Sequence, residues 1–594
     1  MTCRWARAAL SLLVVLVATA ACGDGGGGPT AAAPRSAAPR EARFASGVLG
    51  RDFDPGHAGT APEALLQHQV YECLFEYDPA APDPTVVRPL LVESWQVSED
   101  ARTWTFTLRR DAVFHDPWDP PLWPGRERPV TAADVAWSWL RQADARGERN
   151  AWWEFAGLIA GLDALHEATA DGGAAADEAW ERAVAEGVSG LEVLDERRLR
   201  LTLRRPEPTL PGRLAAPAFA VVPPEADRPP RRLAERPVGS GPFRVASWEP
   251  GQRVRFLAVP GWRGDPSPFG DGSLPFLPGF RWERVRESTT RTLMFERGEL
   301  DRLRPGTDAL GRFFQDGALK PSWRERGFRL AVADEANTTF LVFAMSDPVI
   351  GHVPGDEAGN VRRRALRRAL ALAFPYDDWH RLERAGLTAR PARSFVARVL
   401  PGSADLPAFP WRDGGLAAAR RVLDDAGDVA ALPPLTIDLP GAWPTMRSVG
   451  EVYASRLGEL GIRTELRALP WATFLDRAVR GEFQVAFQAW GLDWPDPLLA
   501  LAPFHGEERG TPTNLSGFAD PEFDRLFARC RDEPDPKARL ALIVAMHEIL
   551  YAEVPAAPID HGRAVILFQP WVEHGFAHPF EAFAPKFLRR GEAP

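Results

Sequence analysis

The sequence predicts an α/β protein made of two or three lobes. Its 594 residues are too many for one hydrophobic core. Residues 61–77 place apolar side chains at helical spacing and then run into a strand pattern, whereas residues 484–490 alternate as a half-buried strand does. An apolar content of 45% and a charged content of 25% are ordinary for a globular protein. Helix and strand signals therefore alternate along a chain long enough to build several cores.

The stretch 484–498 contains the most distinctive candidate site. The alternating strand breaks at a glycine, and a turn follows that contains Asp493 and Asp496 together with Trp490 and Trp494. A carboxylate beside indole faces suits a cation such as a ligand ammonium, through a charge-assisted hydrogen bond and cation–π contact. The alternative is that both aspartates only cap turns, as Asp before Pro often does.

The charge balance excludes nucleic acid as the expected partner. The formal net charge is -9, and two of the arginines, Arg4 and Arg7, lie in a segment that we expect to be removed. Binding of nucleic acid requires a basic face that neutralises phosphates. Most of the 21 tryptophans are expected to fill cores, although their number keeps a sugar-binding or sugar-cleaving protein among the alternatives.

The cysteines show neither a CxxC pair nor zinc-ligand spacing, so no metal or other cofactor is expected. Cys73 and Cys530 are compatible with one disulfide in an oxidising compartment and equally with two buried free thiols, because the sequence does not give their separation.

The N-terminus has the pattern of a secretory leader. Two arginines precede an apolar run that is too short to span a bilayer, and small residues follow it. Residues 18–22 resemble a bacterial lipobox, with Thr19 where Leu is commoner. The resemblance implies that residues 1–21 are a signal peptide and that Cys22 carries a lipid; the alternative is an ordinary leader in which Cys22 is incidental. Residues 22–43, rich in Gly, Ala and Pro, predict a flexible tether.

Two neighbouring segments predict a hairpin and a capped helix. Residues 95–97 and 104–108 alternate around a polar turn at residues 98–102. Thr131 and Asp134 then form a capping-box pattern that opens a helix.

These segments resemble the family 5 solute-binding proteins of ABC importers, the oligopeptide-, dipeptide- and nickel-binding group. The matching residues here are Glu93-Ser94-Trp95, Thr103-Trp104-Thr105-Phe106, Leu108-Arg109, Phe114-His115-Asp116 and Val130 to Val135. Further matches follow in the family's order at Gly239 to Phe243, Gly298 to Asp301, Val361 to Ala373, Leu492 to Pro497, Asn514 to Asp524 and Ala541 to Ile559. Pro117 replaces the usual glycine, and residues 118–128 have the composition of an inserted loop.

The resemblance implies the type II periplasmic-binding-protein fold, in which two α/β lobes are joined by two hinge strands and lobe I carries an extra subdomain. The implied ranges are 44–80, 233–305 and 516–594 for lobe I, 81–232 for its extra subdomain and 306–515 for lobe II. Within the subdomain, the Ala-rich stretch 162–186 predicts an inserted helix. The arginines of residues 361–373 are expected to form a solvated helix face.

The resemblance also implies a binding site between the lobes. In peptide-binding members an aspartate of the lobe II turn pairs with the ligand's α-ammonium, and Asp493 matches that position. Trp490 and Trp494 are expected as pocket walls. Asn337 and Thr338 match the strand that lines the cleft, and the alternative for both is a strand entry that satisfies its own turn. No residue that binds a ligand carboxylate is identified.

The expected function is capture of a peptide or similar small solute outside the cytoplasm and its delivery to an ABC permease, by a monomeric, membrane-anchored lipoprotein. The alternatives are a binder of a sugar or nickel chelate, a ligand-binding component of a sensor system, and, less favoured, an extracytoplasmic hydrolase. Catalysis is not expected, because no GxSxG, HExxH, Walker A or CxxC motif is present.

Overall fold

A computed structural model describes residues 40–57, 61–147, 149–227, 232–382, 386–424, 431–441, 444–580 and 584–592. The predicted leader, Cys22 and most of the predicted tether lie outside the described residues. The first strand begins at Ala42, so the last two residues assigned to the tether belong to a sheet.

The strands lie throughout the described chain. They are β1 (Ala42–Ser46), β2 (Phe75–Tyr77), β3 (Val87–Pro89), β4 (Val92–Val97), β5 (Thr103–Leu108), β6 (Val113–Phe114), β7 (Arg128–Pro129), β8 (Leu191–Val193), β9 (Arg198–Thr202), β10 (Phe243–Glu249), β11 (Arg253–Ala258), β12 (Gly279–Arg284), β13 (Arg302–Leu303), β14 (Phe314–Gln315), β15 (Ala318–Leu319), β16 (Arg329–Phe343), β17 (Ala389–Pro391), β18 (Leu435–Pro440), β19 (Thr464–Leu469), β20 (Val485–Gly491), β21 (Ala556–Phe568), β22 (Val572–Glu573) and β23 (Arg589–Arg590).

Helices alternate with these strands. They are α1 (Ala61–Val70), α2 (Ala132–Leu140), α3 (Leu162–Ala170), α4 (Gly173–Glu186), α5 (Leu210–Arg213), α6 (Ser288–Glu296), α7 (Leu310–Phe313), α8 (Pro321–Arg324), α9 (Glu357–Ala373), α10 (Tyr376–Leu382), α11 (Gly415–Leu423), α12 (Pro444–Glu459), α13 (Trp471–Val479), α14 (Pro521–Asp532) and α15 (Pro536–Glu553).

Three sheets organise the fold. The first has the order β1-β12-β11-β10, and the second has the order β4-β5-β9-β8. The third has seven strands in the order β13-β21-β16-β20-β18-β19, with β17 added on β21. This mixed α/β arrangement confirms the predicted fold class.

Two long antiparallel strands, β16 and β21, connect the two largest hydrophobic cores. Phe340 to Phe343 of β16 and Ala556 to Ile559 of β21 pack in the core that also contains β20, α9 and α15. Towards the other end of the pair, Ile566 and Phe568 pack in the core formed around the first two sheets. The paired strands therefore have the position expected of hinge strands.

The segment 516–594, assigned to lobe I from the sequence, contributes to both cores. Its buried residues from Phe518 to Ile559 pack with residues 340–504, whereas Ile566, Phe568, Val572 and Leu588 belong to the first core. The lobe boundaries stay predictions, because a hydrophobic cluster does not delimit a lobe.

Several local predictions are confirmed. α1 leads into β2, and β4 and β5 form the hairpin around residues 98–102. The Thr131 side chain accepts a hydrogen bond from the Asp134 backbone, and the Asp134 carboxylate accepts one from the Thr131 backbone at 2.8 Å, which completes the capping box of α2.

The predicted single helix over residues 162–186 is wrong. The structure has two helices there, because α3 ends at Ala170 and α4 begins at Gly173. Gly172 and Gly173 both have positive φ, a conformation that ends a right-handed helix.

The two described cysteines are not joined to each other by a disulfide. Cys73 is buried in the first core and its Sγ contacts the Ala216 carbonyl, while Cys530 is buried in the second. Of the two alternatives, the structure therefore has the pair of buried thiols.

Candidate functional site

A cavity of about 580 Å³ contacts residues from both large cores. Its charged and titratable lining residues are His68, Tyr77, Glu154, Arg291, Arg302, Arg304, Glu335, Asp493 and His578. Aromatic and aliphatic side chains complete the wall, among them Phe44, Leu65, Trp153, Trp282, Ile566 and Phe580. A cleft that combines apolar walls with charged groups is a candidate binding site for a small polar ligand.

Asp493 is the predicted site residue that lines this cavity. It lies two residues after β20, in the turn that the two following prolines prevent from continuing as a regular element. Its side chain is open to the cavity, and it has neither a hydrogen bond nor an ion pair with any described residue. The surrounding protein desolvates the carboxylate and raises the pKa of Asp493 to about 6. A cationic ligand group would restore the lost solvation.

A second carboxyl group, Glu154, lies beside Asp493. It ends a short 3₁₀ helix, Trp152–Glu154, and only 3% of its surface is exposed. Burial, with a further contribution from the negative charge of Asp493, raises the pKa of Glu154 to about 8. Its Oε2 is buried with no hydrogen-bond partner among the described residues. The sequence offers no signal for this residue, because a glutamate after two tryptophans matches no motif.

Trp494 joins the turn to the segment that contains Glu154. Its ring stacks on Trp153 with centroids 5.8 Å apart and planes 17° from parallel. The guanidinium of Arg213, at the end of α5, lies 4.4 Å from the centroid of the same ring. These contacts hold the turn against elements of the predicted extra subdomain, so the Asp493 and Glu154 carboxyls face one cavity from separate parts of the chain.

Asp496 has a structural role in the same turn. It accepts a hydrogen bond from the Leu498 backbone at 3.0 Å and so caps the 3₁₀ helix Pro497–Phe504. It also forms a buried ion pair with Arg539 at 2.6 Å. For this aspartate the turn-capping interpretation is correct, and it is not among the lining residues of the cavity.

Replacing Asp496 with asparagine should lower the free energy of unfolding by about 2 kcal/mol, because the Arg539 guanidinium loses the charge that compensates its burial. Urea denaturation monitored by circular dichroism measures the change. The double replacement Asp496→Asn with Arg539→Met should recover part of the loss, and additive losses would contradict the pairing.

The remaining predicted contacts are engaged in interactions within the protein. The Trp490 indole donates to the Leu499 carbonyl at 2.9 Å. Asn337 accepts from the Gly562 backbone at 2.9 Å, and the Thr338 hydroxyl donates to the Phe395 carbonyl at the same distance. None of them, nor Trp494, is among the lining residues of the cavity. Their roles as ligand contacts stay predictions. Asn337 and Thr338 lie inside β16 and not at a strand entry, and these hydrogen bonds reach distant segments of the chain.

The cavity also has basic lining residues that the sequence did not single out. Arg304 pairs with Glu335 at 2.7 Å. Arg302, in β13, is desolvated by burial, and together with the nearby charge of Arg304 this lowers the pKa of its guanidinium below the usual value. An anionic ligand group beside Arg302 would offset both effects.

Two cores joined by paired long strands, with a partly charged cavity that contacts both, define a two-lobed solute-binding protein. The family model for bacterial extracellular solute-binding proteins, family 5 Middle, matches residues 86–511, and the chain belongs to this family. Among the described residues, no helix is long and apolar enough to cross a membrane, and no group of side chains has the composition of a metal site.

Individual relatives share the family's architecture at low identity. The dipeptide-binding protein DppE of Bacillus subtilis is 24% identical over 507 residues, which cover 83% of this chain and 82% of that protein. Di/tripeptide-binding protein 2 of Pseudomonas aeruginosa is 26% identical over 553 residues, 89% of this chain and 91% of that protein. The structure of the ABC transporter-associated periplasmic binding protein DppA from Helicobacter pylori, in complex with the peptide STSA, superposes with a TM-score of 0.68 at 19% identity and covers 93% of this chain and 98% of that one. The fold of this chain is therefore that of periplasmic binding proteins.

Proposed function

We propose that the protein captures a peptide with a free amino terminus in this cavity, by closure of its two lobes, and delivers it to an ABC importer without chemical change. The observation that carries the proposal is Asp493, whose carboxylate lines the cavity and has no hydrogen-bond or ion-pair partner among the described residues. A ligand ammonium supplies the missing charge and hydrogen-bond donors. The peptide-binding relatives and the ABC transporter association stated for the DppA structure support the same ligand class and partner.

Arg302 is the candidate partner for the ligand's carboxylate. In the seven-stranded sheet Arg302 pairs with Phe568 of β21. Thr338 of β16 pairs with His561 of β21 and, on its other side, with Trp490 near the end of β20, the strand that Asp493 follows. Seven residues of a strand span roughly 20 Å. The side chains of Arg302 and Asp493 shorten the distance between their charged groups. A ligand of a few residues, bound in extended form, therefore fits between the Arg302 guanidinium and the Asp493 carboxylate better than a single amino acid.

Membrane attachment belongs to the same proposal. Lipid on Cys22 would anchor the protein outside the cytoplasm, and about 20 residues of tether would let the folded body reach a membrane-embedded permease as a monomer. The lipobox resemblance of residues 18–22 supports this part of the proposal.

Native mass spectrometry of the secreted Cys22→Ala protein, purified without denaturant, tests the ligand class. We expect a series of co-purified peptide masses that disappears after unfolding and refolding. One sugar or metal-chelate mass would overturn the peptide assignment and keep the fold. No bound mass, together with no thermal stabilisation by peptide mixtures, would favour a sensor or scaffold role.

A further inference from the structure

The acidic end of the cavity contains one more carboxyl group than an ammonium ligand needs for charge balance. Glu154 and Asp493 both line it, and neither carboxyl has a hydrogen bond or ion pair with a described residue. The nearest cation, Arg213, directs Nη2 to the Glu154 backbone carbonyl, directs Nη1 to the Glu207 carboxylate at 3.3 Å, and lies over Trp494. The hydrogen bonds of Arg213 thus go to other groups, and its charge acts on the Glu154 carboxyl without a hydrogen bond. The hydrogen-bonding capacity of the two carboxyls is left for a group from outside the protein.

We propose that Glu154 is a second contact for the cationic end of the ligand, and that binding of a primary ammonium releases the proton that Glu154 holds in its absence. This inference rests on the proposed function and extends it to a residue and a proton. The O–H bond of the Glu154 carboxylic acid breaks, the proton passes to the buffer, and the carboxylate accepts a hydrogen bond from the ammonium. No electron is transferred.

The geometry of hydrogen bonding supports two carboxyl contacts. A primary ammonium has three N–H donors, and a single carboxylate in a turn does not satisfy all three. Glu154 Oε2 is buried with no partner among the described residues, so it offers the further acceptor. An N-acylated or quaternary amine has no such set of donors and gains nothing from Glu154.

The charges around Asp493 and Glu154 explain why Glu154 exchanges its proton for the ligand ammonium. Glu207 with Arg213, and Asp496 with Arg539, are neighbouring ion pairs whose charges cancel. Ionised Asp493 already contributes one negative charge, and burial penalises a second one on Glu154. Exchange of the proton for an ammonium leaves the net charge of the cluster unchanged. The other charged and titratable groups that line the cavity are His68, Tyr77, His578, Arg291, Arg302, Arg304 and Glu335.

Calorimetric titration with trialanine at pH 7, repeated in phosphate and in Tris, counts the released protons, because the two buffers differ in ionisation enthalpy. The mature protein should release close to one proton per peptide. Glu154→Gln should release almost none and bind about tenfold more weakly, since it keeps the shape but not the charge. Asp438→Asn is the control, a buried carboxyl of β18 outside the cavity lining, and should keep the release.

The outcomes separate this inference from the proposed function. Equal proton release by Glu154→Gln and the parent, or no release by the parent despite binding, overturns the role of Glu154 and leaves peptide capture intact. Absence of trialanine binding to the parent overturns both. Thermal melts establish that the variants are folded; Glu154→Gln should melt no lower than the parent, because it removes a buried ionisable group that has no partner.

Discussion

Replacement of Asp493 by alanine should weaken the binding of a peptide with a free amino terminus by about 30-fold or more, because it removes the carboxylate that faces the ligand ammonium. The fold should be unaffected. Asp493 makes no hydrogen bond or ion pair with the described residues, so its truncation leaves none of them unpaired. Calorimetric titration with trialanine measures the affinity, and the exposed Asp532→Ala is a control that should bind as the parent does.

The same residue predicts the acid limb of the pH dependence. Its carboxylate is the form that binds an ammonium, and its pKa is about 6. Affinity should therefore fall more steeply as the pH drops through 6, and the variant Asp493→Asn should lose this additional fall while it keeps the pH dependence that comes from Glu154. Because the pKa is raised on folding, ionised Asp493 costs stability above pH 6, so neither variant should melt below the parent at pH 7. Equal affinity of Asp493→Ala and parent would contradict the assignment.

The turn at residues 490–497 was predictable because its signals lie within one short stretch of sequence. Alternation predicted β20, the prolines predicted the turn, and the acidic and aromatic residues predicted a cation site, one carboxylate of which lines the cavity. The sequence did not distinguish Asp493 from Asp496. That distinction depends on Arg539, 43 residues further along, which pairs with only one of them.

The other half of the site was not predictable from one sequence. Glu154 and Arg213 come from a separate part of the chain and meet Asp493 and Trp494 only through tertiary packing. No local pattern marks a buried glutamate whose neighbour comes from a distant segment of the chain. By contrast, the break between α3 and α4 could have been predicted from the sequence, because the two adjacent glycines at residues 172–173 favour the end of a helix.

The arginine-rich helix α9 was expected to have its arginines on a solvated face, and Arg367 is an exception because it is buried. Arg362 is exposed as predicted, whereas Arg367 is 1% exposed. The Arg367 guanidinium donates to the backbone carbonyls of Ile350 at 2.6 Å, Gly351 at 2.9 Å and Val554 at 3.1 Å, and also to that of Glu553. It therefore ties α9 to the end of α15 and to the loop before α9.

Replacing Arg367 with methionine should lower the free energy of unfolding by about 3–5 kcal/mol, because several buried carbonyls lose their donor at once. Methionine keeps most of the apolar volume, so the loss reports the hydrogen bonds more than a cavity. Arg362→Met, on the exposed face of the same helix, should change stability by less than about 0.5 kcal/mol. Urea denaturation of the two variants beside the parent measures both values. Equal unfolding midpoints for the two variants would show that the buried guanidinium is not a structural tie, and a similar fall in trialanine affinity for both would show that α9 contributes to binding through its charge.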